Sequence, residues 1–466
     1  MYILKHYNQI TLPDSASNFS FLTMYGVYNM VIFNILLLIS ALMVLSTGVY
    51  LSIKSNFLQI RKLPQAISLI TKSKYRDKSF SIAALCTIIG GNLGVGNISG
   101  TAVALKSGGP GFALWMIIVV VICSIIKYVN CYISIDTRTK MDNGYFGGHA
   151  MYFKRVFKTN KVNILFAILI VLCTITAGNF VQVNSLVIPM KLINQPPIIG
   201  GLFMMLAFLF ITGLKLENIA LLISKIVPIM AIAYLILSFS VLYKFHDNII
   251  PSIKLMFSSF LNFDSFKNGM ISAFILETLH LIQVGAFRGI FATDIGLGLE
   301  GIVHSAINSD SKDFKITQSL ISIISPFIVV IVAIFTTLVI LVTDAWHGPL
   351  ESTNMCIAAF KAAFDSQYVN YIIMIIMFCF SFTTIFTWFT CARSSLYYFT
   401  NGKNNLYIKL WYILFVIVLP IGALWEVQFL WNVADVSMSL MLIVNSIAIL
   451  MIFPQYKNSI FKYNLK

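Results

Sequence analysis

The chain has 466 residues, of which 58% are hydrophobic and only 11% are charged, and its formal net charge is +15. Soluble domains carry about 25% charged residues, so this composition excludes a cytosolic enzyme, a disordered chain and a nucleic-acid-binding protein. The seven cysteines include no CxxC pair, which indicates neither a disulfide framework nor a zinc site. The composition therefore predicts an all-α polytopic membrane protein.

Membrane-spanning helices need roughly 20 apolar residues, and eleven stretches of the chain meet that need. We predict spans near residues 27–53, 80–106, 111–136, 163–189, 197–214, 217–243, 276–306, 317–343, 369–398, 407–424 and 433–454. The polar segment before the first span shows no cleavage site, so we expect no cleaved signal peptide. Residues 251–275 are predicted to form an amphipathic helix at the membrane interface.

The distribution of Lys and Arg predicts the orientation. With these spans, 22 basic residues lie on one side of the membrane and 7 on the other. The richer side is expected to be the cytoplasm of a bacterial cell, with the inner membrane as location, the N-terminus outside and the C-terminus inside. Lys127, Lys225 and Arg288 lie within spans, and for the two lysines we favour snorkelling to the headgroups.

Two spans are interrupted by glycine and polar residues. The second contains GGNLGVGNISG at residues 90–100, and the seventh contains DIGLGLEG at residues 294–301. Glycines in a span can mark close helix packing, but this does not explain the asparagines or the carboxylates. The pattern favours two helices that unwind in the membrane, where free backbone groups are tolerated only along a cavity.

The two interruptions occupy matching places. Spans two to six and spans seven to eleven form two sets of five, and each set begins with a broken helix. An odd number of spans per set inverts the second copy, and such paired breaks mark the substrate site of transporters. The predicted units are residues 1–79 with the first span, residues 80–250, residues 251–454 and a tail of residues 455–466.

Broken helices carry two kinds of partial charge. The N-termini of half-helices suit a carboxylate, and unwound carbonyls suit a sodium ion. An amino acid carried with a cation would use both.

Several motifs, in this order, resemble the alanine/glycine:cation symporter family. They are LGVGNISG followed by KSGGPGFALWM, YFGGHAMYF, GNFVQVNS at Gly178–Ser185, FRGIFATDIGLG at Phe287–Gly298, and WNVADVSMSLMLIVNSIAIL at Trp431–Leu450. The resemblance covers about residues 30–450. It implies a LeuT-type core of five plus five inverted spans, with one extra N-terminal span, and sodium-coupled uptake of alanine or glycine.

The resemblance also implies site residues. Those expected at the substrate are Gly94, Val95, Gly96, Asn97, Gln182, Asp294, Gly296 and Gly298, and those expected at sodium are Asn97, Thr383 and Thr384. From the residues alone, Gln182 is equally explained by a hydrogen bond between helices. The two threonines could instead bond carbonyls of their own helix.

The sequence departs from the family pattern at several points. Val95 stands where the family usually has a hydroxyl residue, and Arg393 stands in a segment where it commonly has an acid. The seventh span reads Thr-Asp-Ile-Gly and then Gly-Leu-Glu-Gly at residues 293–301, where the family usually has Asn-Glu-Ala-Gly and then Gly-Ser-Ala-Pro. Glu300 therefore adds a carboxylate to this span.

Other function classes fit less well. The six histidines show no HExxH pattern, so we expect no enzyme, and no repeated pore motif indicates a channel. A degenerate, binding-only sensor of the same fold and a proton-coupled amino-acid transporter remain alternatives. The predicted function is sodium-coupled symport of a small neutral amino acid.

Overall fold

The computed structural model describes residues 21–71, 78–141, 144–212, 216–261, 271–309, 311, 313–364, 366, 368–399 and 406–461. Part of the basic loop predicted after the first span, at residues 72–77, lies outside these ranges. The same holds for residues 1–20, for the tail beyond residue 461 and for residues 262–270 of the predicted interfacial segment.

The described chain is almost entirely helical. The α-helices are α1 (Phe21–Lys54), α2 (Leu58–Arg61), α3 (Leu63–Thr71), α4 (Lys78–Asn92), α5 (Ser99–Gly108), α6 (Phe112–Cys123), α7 (Ile125–Thr137), α8 (His149–Phe157), α9 (Asn160–Ile175), α10 (Val181–Val187), α11 (Pro197–Thr212), α12 (Leu216–Lys244), α13 (Ile249–Ser258), α14 (Ile271–Thr293), α15 (Leu299–Ser305), α16 (Phe314–Ser322), α17 (Ile324–Val342), α18 (Ser352–Ala363), α19 (Tyr368–Phe399), α20 (Leu406–Val418) and α21 (Val427–Tyr456).

Shorter elements join these helices. Five 3₁₀ helices cover Val95–Asn97, Ile188–Ile193, His246–Asn248, Ala345–His347 and Leu419–Leu424, and one π-helix covers Thr176–Phe180. One antiparallel hairpin, β1 (Thr139–Met141) with β2 (Gly144–Phe146), is the described exception to the all-α prediction. The start of the predicted interfacial segment is helical, in α13.

Eight helical stretches in the described chain are long and apolar enough to cross a membrane. They are Phe33–Lys54, Phe112–Thr137, Asn160–Ile193, Leu222–Lys244, Phe314–Val342, Tyr368–Tyr398, Leu406–Leu424 and Phe429–Tyr456. Each coincides with a predicted span. A ninth candidate is the pair Lys78–Asn92 and Val95–Gly108, bent by 57° where the broken second span was predicted.

The two remaining predicted spans coincide with shorter helices. Residues 197–214 correspond to α11, and residues 276–306 to α14 and α15 with a break between them. The structure thus shows a multi-pass membrane protein with eight or nine spans among the described residues, and the count of eleven stays a prediction.

The helix before the seventh-span break packs tightly against the third span. A Cβ atom on Gly285 of α14 would lie 2.5 Å from Trp115 Cβ and 2.6 Å from the Phe112 carbonyl oxygen. These distances leave no room for a side chain, so α14 and α6 approach each other almost backbone to backbone. Since apolar lipid gives helices little hydrophobic reason to associate, such close packing is a main source of their attraction.

Two polar clusters hold the end of the third span. Asp136 of α7 accepts hydrogen bonds from Lys315 at 2.5 Å and from the Tyr456 hydroxyl at 2.7 Å. Arg138 donates to the carbonyls of Ser305 at 3.2 Å and of Ile307 at 2.9 Å. A further Arg138 bond reaches the Ser309 carbonyl. The guanidinium of Arg138 therefore holds the carbonyls at the end of α15 and just beyond it.

We predict that Gly285→Val destabilises the protein, because the new side chain would overlap the backbone of α6. Overpacking of this kind costs about 1–3 kcal/mol or more. The measurement is the melting temperature of the detergent-solubilised protein, followed by size-exclusion chromatography. Leu279→Val, on an exposed position of the same helix, is the matched control. An unchanged melting temperature for Gly285→Val would contradict the close packing described above.

Candidate functional site

The breaks of the second and seventh spans lie side by side. The second span stops being α-helical after Asn92 and resumes at Ser99, and the seventh is interrupted between Thr293 and Leu299. The Asn92 side chain donates a hydrogen bond of 2.9 Å to the Thr293 carbonyl oxygen. One unwound segment thus supplies a partner for a backbone group of the other.

In the second span, side chains satisfy the unwound backbone. The Val95 N–H donates to Gln182 Oε1 at 3.1 Å, and Asn97 Nδ2 donates to the Asn92 carbonyl at 2.7 Å. Asn97 is fully buried, yet its Oδ1 atom has no hydrogen-bond partner among the residues that the structure describes. A buried amide oxygen without a donor is costly and is well suited to a cation or an ammonium group.

A small cavity lies at this junction, with room for about one water molecule. Five predicted site residues line it, together with six residues that the sequence analysis did not assign to the site. The predicted ones are Gly94, Gly96, Gln182, Asp294 and Thr384; the others are Gly91, Asn92, Ala177, Phe291, Trp388 and Met438. Even the smallest amino acids exceed this space, so the helices around it have to separate to admit one.

Gly94 makes the closest approach to the cavity wall. A Cβ atom there would lie 2.6 Å from Thr384 Oγ1 and 2.7 Å from Gln182 Oε1. Any side chain would therefore displace two groups that hold the break together. Glycine is required here because there is no space for a side chain. Its backbone conformation is not the reason, because other residues also adopt a φ of −91°.

The predicted threonines lie against the end of α4. Thr384 Oγ1 donates to the Gly90 carbonyl at 2.9 Å, and Thr383 Oγ1 lies 3.1 Å from the same oxygen. Thr383 Oγ1 is also within 3.1 Å of the Cys379 and Phe380 carbonyls of its own helix. A hydroxyl has one proton to donate, so it cannot satisfy all three carbonyls, and the site is rich in oxygen.

Both readings of Gln182 find support in its contacts. Its amide bridges the second and fourth spans, because Oε1 accepts from Val95 and Nε2 donates to the Ala177 carbonyl at 2.9 Å. The same side chain lines the cavity. Ala177 belongs to the π-helix, whose wider turn turns carbonyl groups out of the helical ladder, a common feature of functional sites.

The predicted glycines of the seventh span, Gly296 and Gly298, lie away from the cavity. The Gly296 carbonyl accepts a hydrogen bond of 2.6 Å from Asn445, and Gly298 lies beside Asn445 and Tyr152. Neither glycine lines the cavity. Both have positive φ, 88° and 78°, as does Asp294 at 52°, so their place in the structure is that of a turn between α14 and α15.

The three basic residues within spans have different surroundings, and the snorkelling prediction holds for one of the two lysines. Snorkelling is wrong for Lys127, which is 0% exposed, whereas Lys225 is exposed and fits it. Arg288 pairs with Asp435 of α21 at 3.5 Å, and its guanidinium lies 4.6 Å from the ring centre of Trp431. That pair is formed across two helices and is separate from Asp294.

Some cavity residues carried no strong sequence signal. Phe291 packs against Trp431 with ring centres 4.9 Å apart, and a Cβ atom on Gly96 would touch the Phe291 ring. A Cβ atom on Gly178 would lie 2.6 Å from Trp388 Cβ. Aromatic residues are common in the spans, so only the glycines that lie against them in space, Gly96 and Gly178, could have indicated the rings of Phe291 and Trp388.

The sequence is similar to those of known transporters over most of its length. An uncharacterized transporter of Haemophilus influenzae is 30% identical over 412 residues, which cover 87% of this chain and 88% of its own. A sodium/alanine symporter, AgcS, of Methanococcus maripaludis is 29% identical over 88% of this chain and 90% of its own. A probable sodium/glutamine symporter, GlnT, of Bacillus subtilis is 26% identical over 92% and 87%. The profile of the sodium:alanine symporter family matches residues 20–466, and the chain belongs to that family.

Proposed function

We propose that the protein is a secondary active transporter that carries a small neutral amino acid, alanine or glycine, together with sodium. The observation that carries this proposal is the contact of the Gly90 carbonyl with the Thr383 and Thr384 hydroxyls, beside the cavity between two broken helices. The family membership supports the same class of function.

The proposed sodium site lies at the end of α4. Half-helix C-termini leave carbonyl oxygens without helical donors, and the Gly90 carbonyl faces two hydroxyl oxygens from α19. Hard cations prefer such oxygen ligands. Sodium would hold α4 and α19 together, and Asn97 Oδ1 is a further buried oxygen near the unwound segment.

The amino acid would lie in the cavity. Its carboxylate suits the backbone of the unwound second span near Gly94 and Gly96, because the helix α5 begins just beyond and presents its positive end. Asp294 lines the same cavity and offers a carboxylate to the ammonium group. The narrow space, with Phe291 and Trp388 in its wall, favours small side chains.

Transport would proceed by alternating access. The contact between the two breaks, through Asn92 and Thr293, supports a LeuT-type arrangement of two inverted sets of five spans after the first span. In this proposal the protein has eleven spans in a bacterial inner membrane, with the N-terminus outside. Each ligand favours the same closed conformation, so each raises the affinity for the other.

We predict that labelled alanine accumulates in proteoliposomes only under an inward sodium gradient. A panel of unlabelled glycine, serine, alanine and glutamine then defines the substrate by competition. Uptake that is unchanged when potassium and a pH gradient replace sodium would contradict sodium coupling. Binding of alanine without any uptake would instead indicate the sensor.

Thr384→Val should raise the sodium concentration for half-maximal uptake by about tenfold or more, since it removes one oxygen ligand of the proposed site and about 1.4 kcal/mol corresponds to a tenfold change in affinity. The matched control is Thr390→Val in the same helix. Within the described ranges, the Thr390 hydroxyl bonds the Phe386 and Thr387 carbonyls of its own helix. Equal sodium dependence in the two variants would remove Thr384 from the proposed site.

Gly94→Ala should abolish uptake while leaving the protein folded, because the added methyl group would displace both Gln182 and Thr384. Asn97→Ala should also abolish uptake by removing its buried oxygen. Gly348→Ala is the control, since its Cβ atom would have its nearest neighbour at 3.3 Å. Normal uptake by the Gly94 variant would show that the cavity is not the substrate site.

A further inference from the structure

Two consecutive hydrogen bonds join three elements on one side of the cavity. The Tyr152 hydroxyl donates to Asn445 Oδ1 at 2.6 Å, and Asn445 Nδ2 donates to the Gly296 carbonyl oxygen at 2.6 Å. Tyr152 belongs to α8, Asn445 to α21, and Gly296 to the break between α14 and α15. Both side chains are 0% exposed. The Asn445 amide is therefore held at both ends, by α8 and by the break.

This pair lies between the cavity and the side of the membrane that carries α8. Met438, in the wall of the cavity, precedes Asn445 by seven residues of α21. Seven residues make about two helical turns, so Asn445 lies on nearly the same face of α21, about 10 Å further along the helix. The helix continues to Tyr456, which bonds Asp136 at the end of the third span. A solute that leaves the cavity along this face of α21 would therefore meet Asn445 and Tyr152 next.

The start of α8 packs directly against α15. A Cβ atom on Gly148 would lie 2.7 Å from Ile302 Cγ1 and 3.4 Å from Ile302 Cα. A Cβ atom on Gly147 would lie 2.5 Å from Ser305 Cβ. The two glycines thus bring the backbone of this segment onto α15, while Tyr152 reaches α21. In this conformation α8 bridges the two helices beyond the cavity.

A second acceptor lies near the Tyr152 hydroxyl. Its oxygen is 3.4 Å from Asn130 Oδ1 of α7, compared with 2.6 Å from Asn445 Oδ1. A hydroxyl has one proton to donate, so it bonds Asn445 here and can bond Asn130 once α8 or α21 moves. A buried hydroxyl without any acceptor would be costly. Because Asn130 is within reach, Tyr152 can release Asn445 at little cost.

We propose that Tyr152 and Asn445 form the gate that closes the cavity toward the side of α8, which the basic residues predict to be the cytoplasm. Tyr152 is the positioning residue of this gate, because its hydroxyl holds the Asn445 amide against the Gly296 carbonyl. When the hydroxyl transfers its bond to Asn130, Asn445 is free to leave the break, and α15 can move away from α21. This rests on the proposed transport function and extends it by naming residues that control release of the substrate.

The first test measures access to the cavity from each side of the membrane. Met438→Cys places a thiol in the cavity wall, and a membrane-impermeant methanethiosulfonate reagent is applied to vesicles that present one face or the other of the full-length protein. Mass spectrometry gives the rate of modification at position 438. Adding Tyr152→Phe should raise this rate about fivefold from the side of α8, the population shift expected when one hydrogen bond is lost. The rate from the opposite side should not rise.

The matched control is Tyr234→Phe, which removes the same hydroxyl group from a buried tyrosine of α12. The Tyr234 hydroxyl lies 2.7 Å from Thr336 Oγ1 of α17, and neither helix contributes a residue to the proposed gate. This variant should be modified at the rate of the parent Met438→Cys protein. An equal rise in both variants, or no rise with Tyr152→Phe, would overturn the proposal.

A double-mutant cycle tests the link between the two side chains. Asn445→Ala should also raise the rate from the side of α8. Adding Tyr152→Phe to it should have little further effect, because the hydroxyl no longer holds an amide against the break. Effects that multiply would show that the two residues act independently and would contradict the gate. If Asn445→Ala does not fold, the comparison of Tyr152→Phe with Tyr234→Phe decides.

Uptake measurements separate the gate from the proposed function. Thiol modification needs no transport, so it decides the gate even if alanine is not the substrate. Where alanine is transported, Tyr152→Phe should raise the alanine concentration for half-maximal uptake, because fewer molecules keep the cavity open to the opposite side. A lower maximal rate at an unchanged half-maximal concentration would indicate a purely structural role of Tyr152 and would contradict the proposal.

Discussion

A backbone N–H or C=O group that loses its helical partner inside a membrane has to find another partner within the protein, since an unsatisfied group costs several kcal/mol there. The break between α4 and α5 and the break between α14 and α15 create such groups side by side. The Val95 N–H finds Gln182, the Gly90 carbonyl finds Thr384, and the Thr293 carbonyl finds Asn92. The position of the fourth and ninth spans next to the breaks follows from this need.

The same constraint explains why the site is built from few side chains. Groups that complete the backbone of a broken helix already point at its free ends, so a ligand can compete for them or join them. The Gly90 carbonyl, with two hydroxyls around it, and the Asn97 amide oxygen, which has no donor in the described part of the chain, lie at two such ends. Glycine at position 94 allows Thr384 and Gln182 to approach the break together, since any larger residue would displace both side chains.

The sequence allowed the breaks to be predicted, because clustered glycines and asparagines stand out against apolar spans. It also allowed five of the cavity residues to be predicted. It did not show that Lys127 is buried. The hydropathy of a segment indicates that a residue lies in a span, but it does not indicate which face of the helix the side chain occupies. The partner of Arg288 could not be read from its neighbours in sequence either, because Asp435 lies in another span. Gly296 and Gly298 were predicted at the substrate because glycine marks a break, but a glycine in the turn need not face the cavity.

The short helix α15 is anchored at both ends, by Asn445 at the Gly296 carbonyl and by Arg138 at the carbonyls of Ser305 and Ile307. At about 1.5 Å per residue, a rotation about Gly298 would move Ser305 more than three times as far as Glu300. Even a small tilt next to the cavity would therefore have to stretch the bonds that Arg138 makes, so these bonds tie the geometry of the break to the end of the third span.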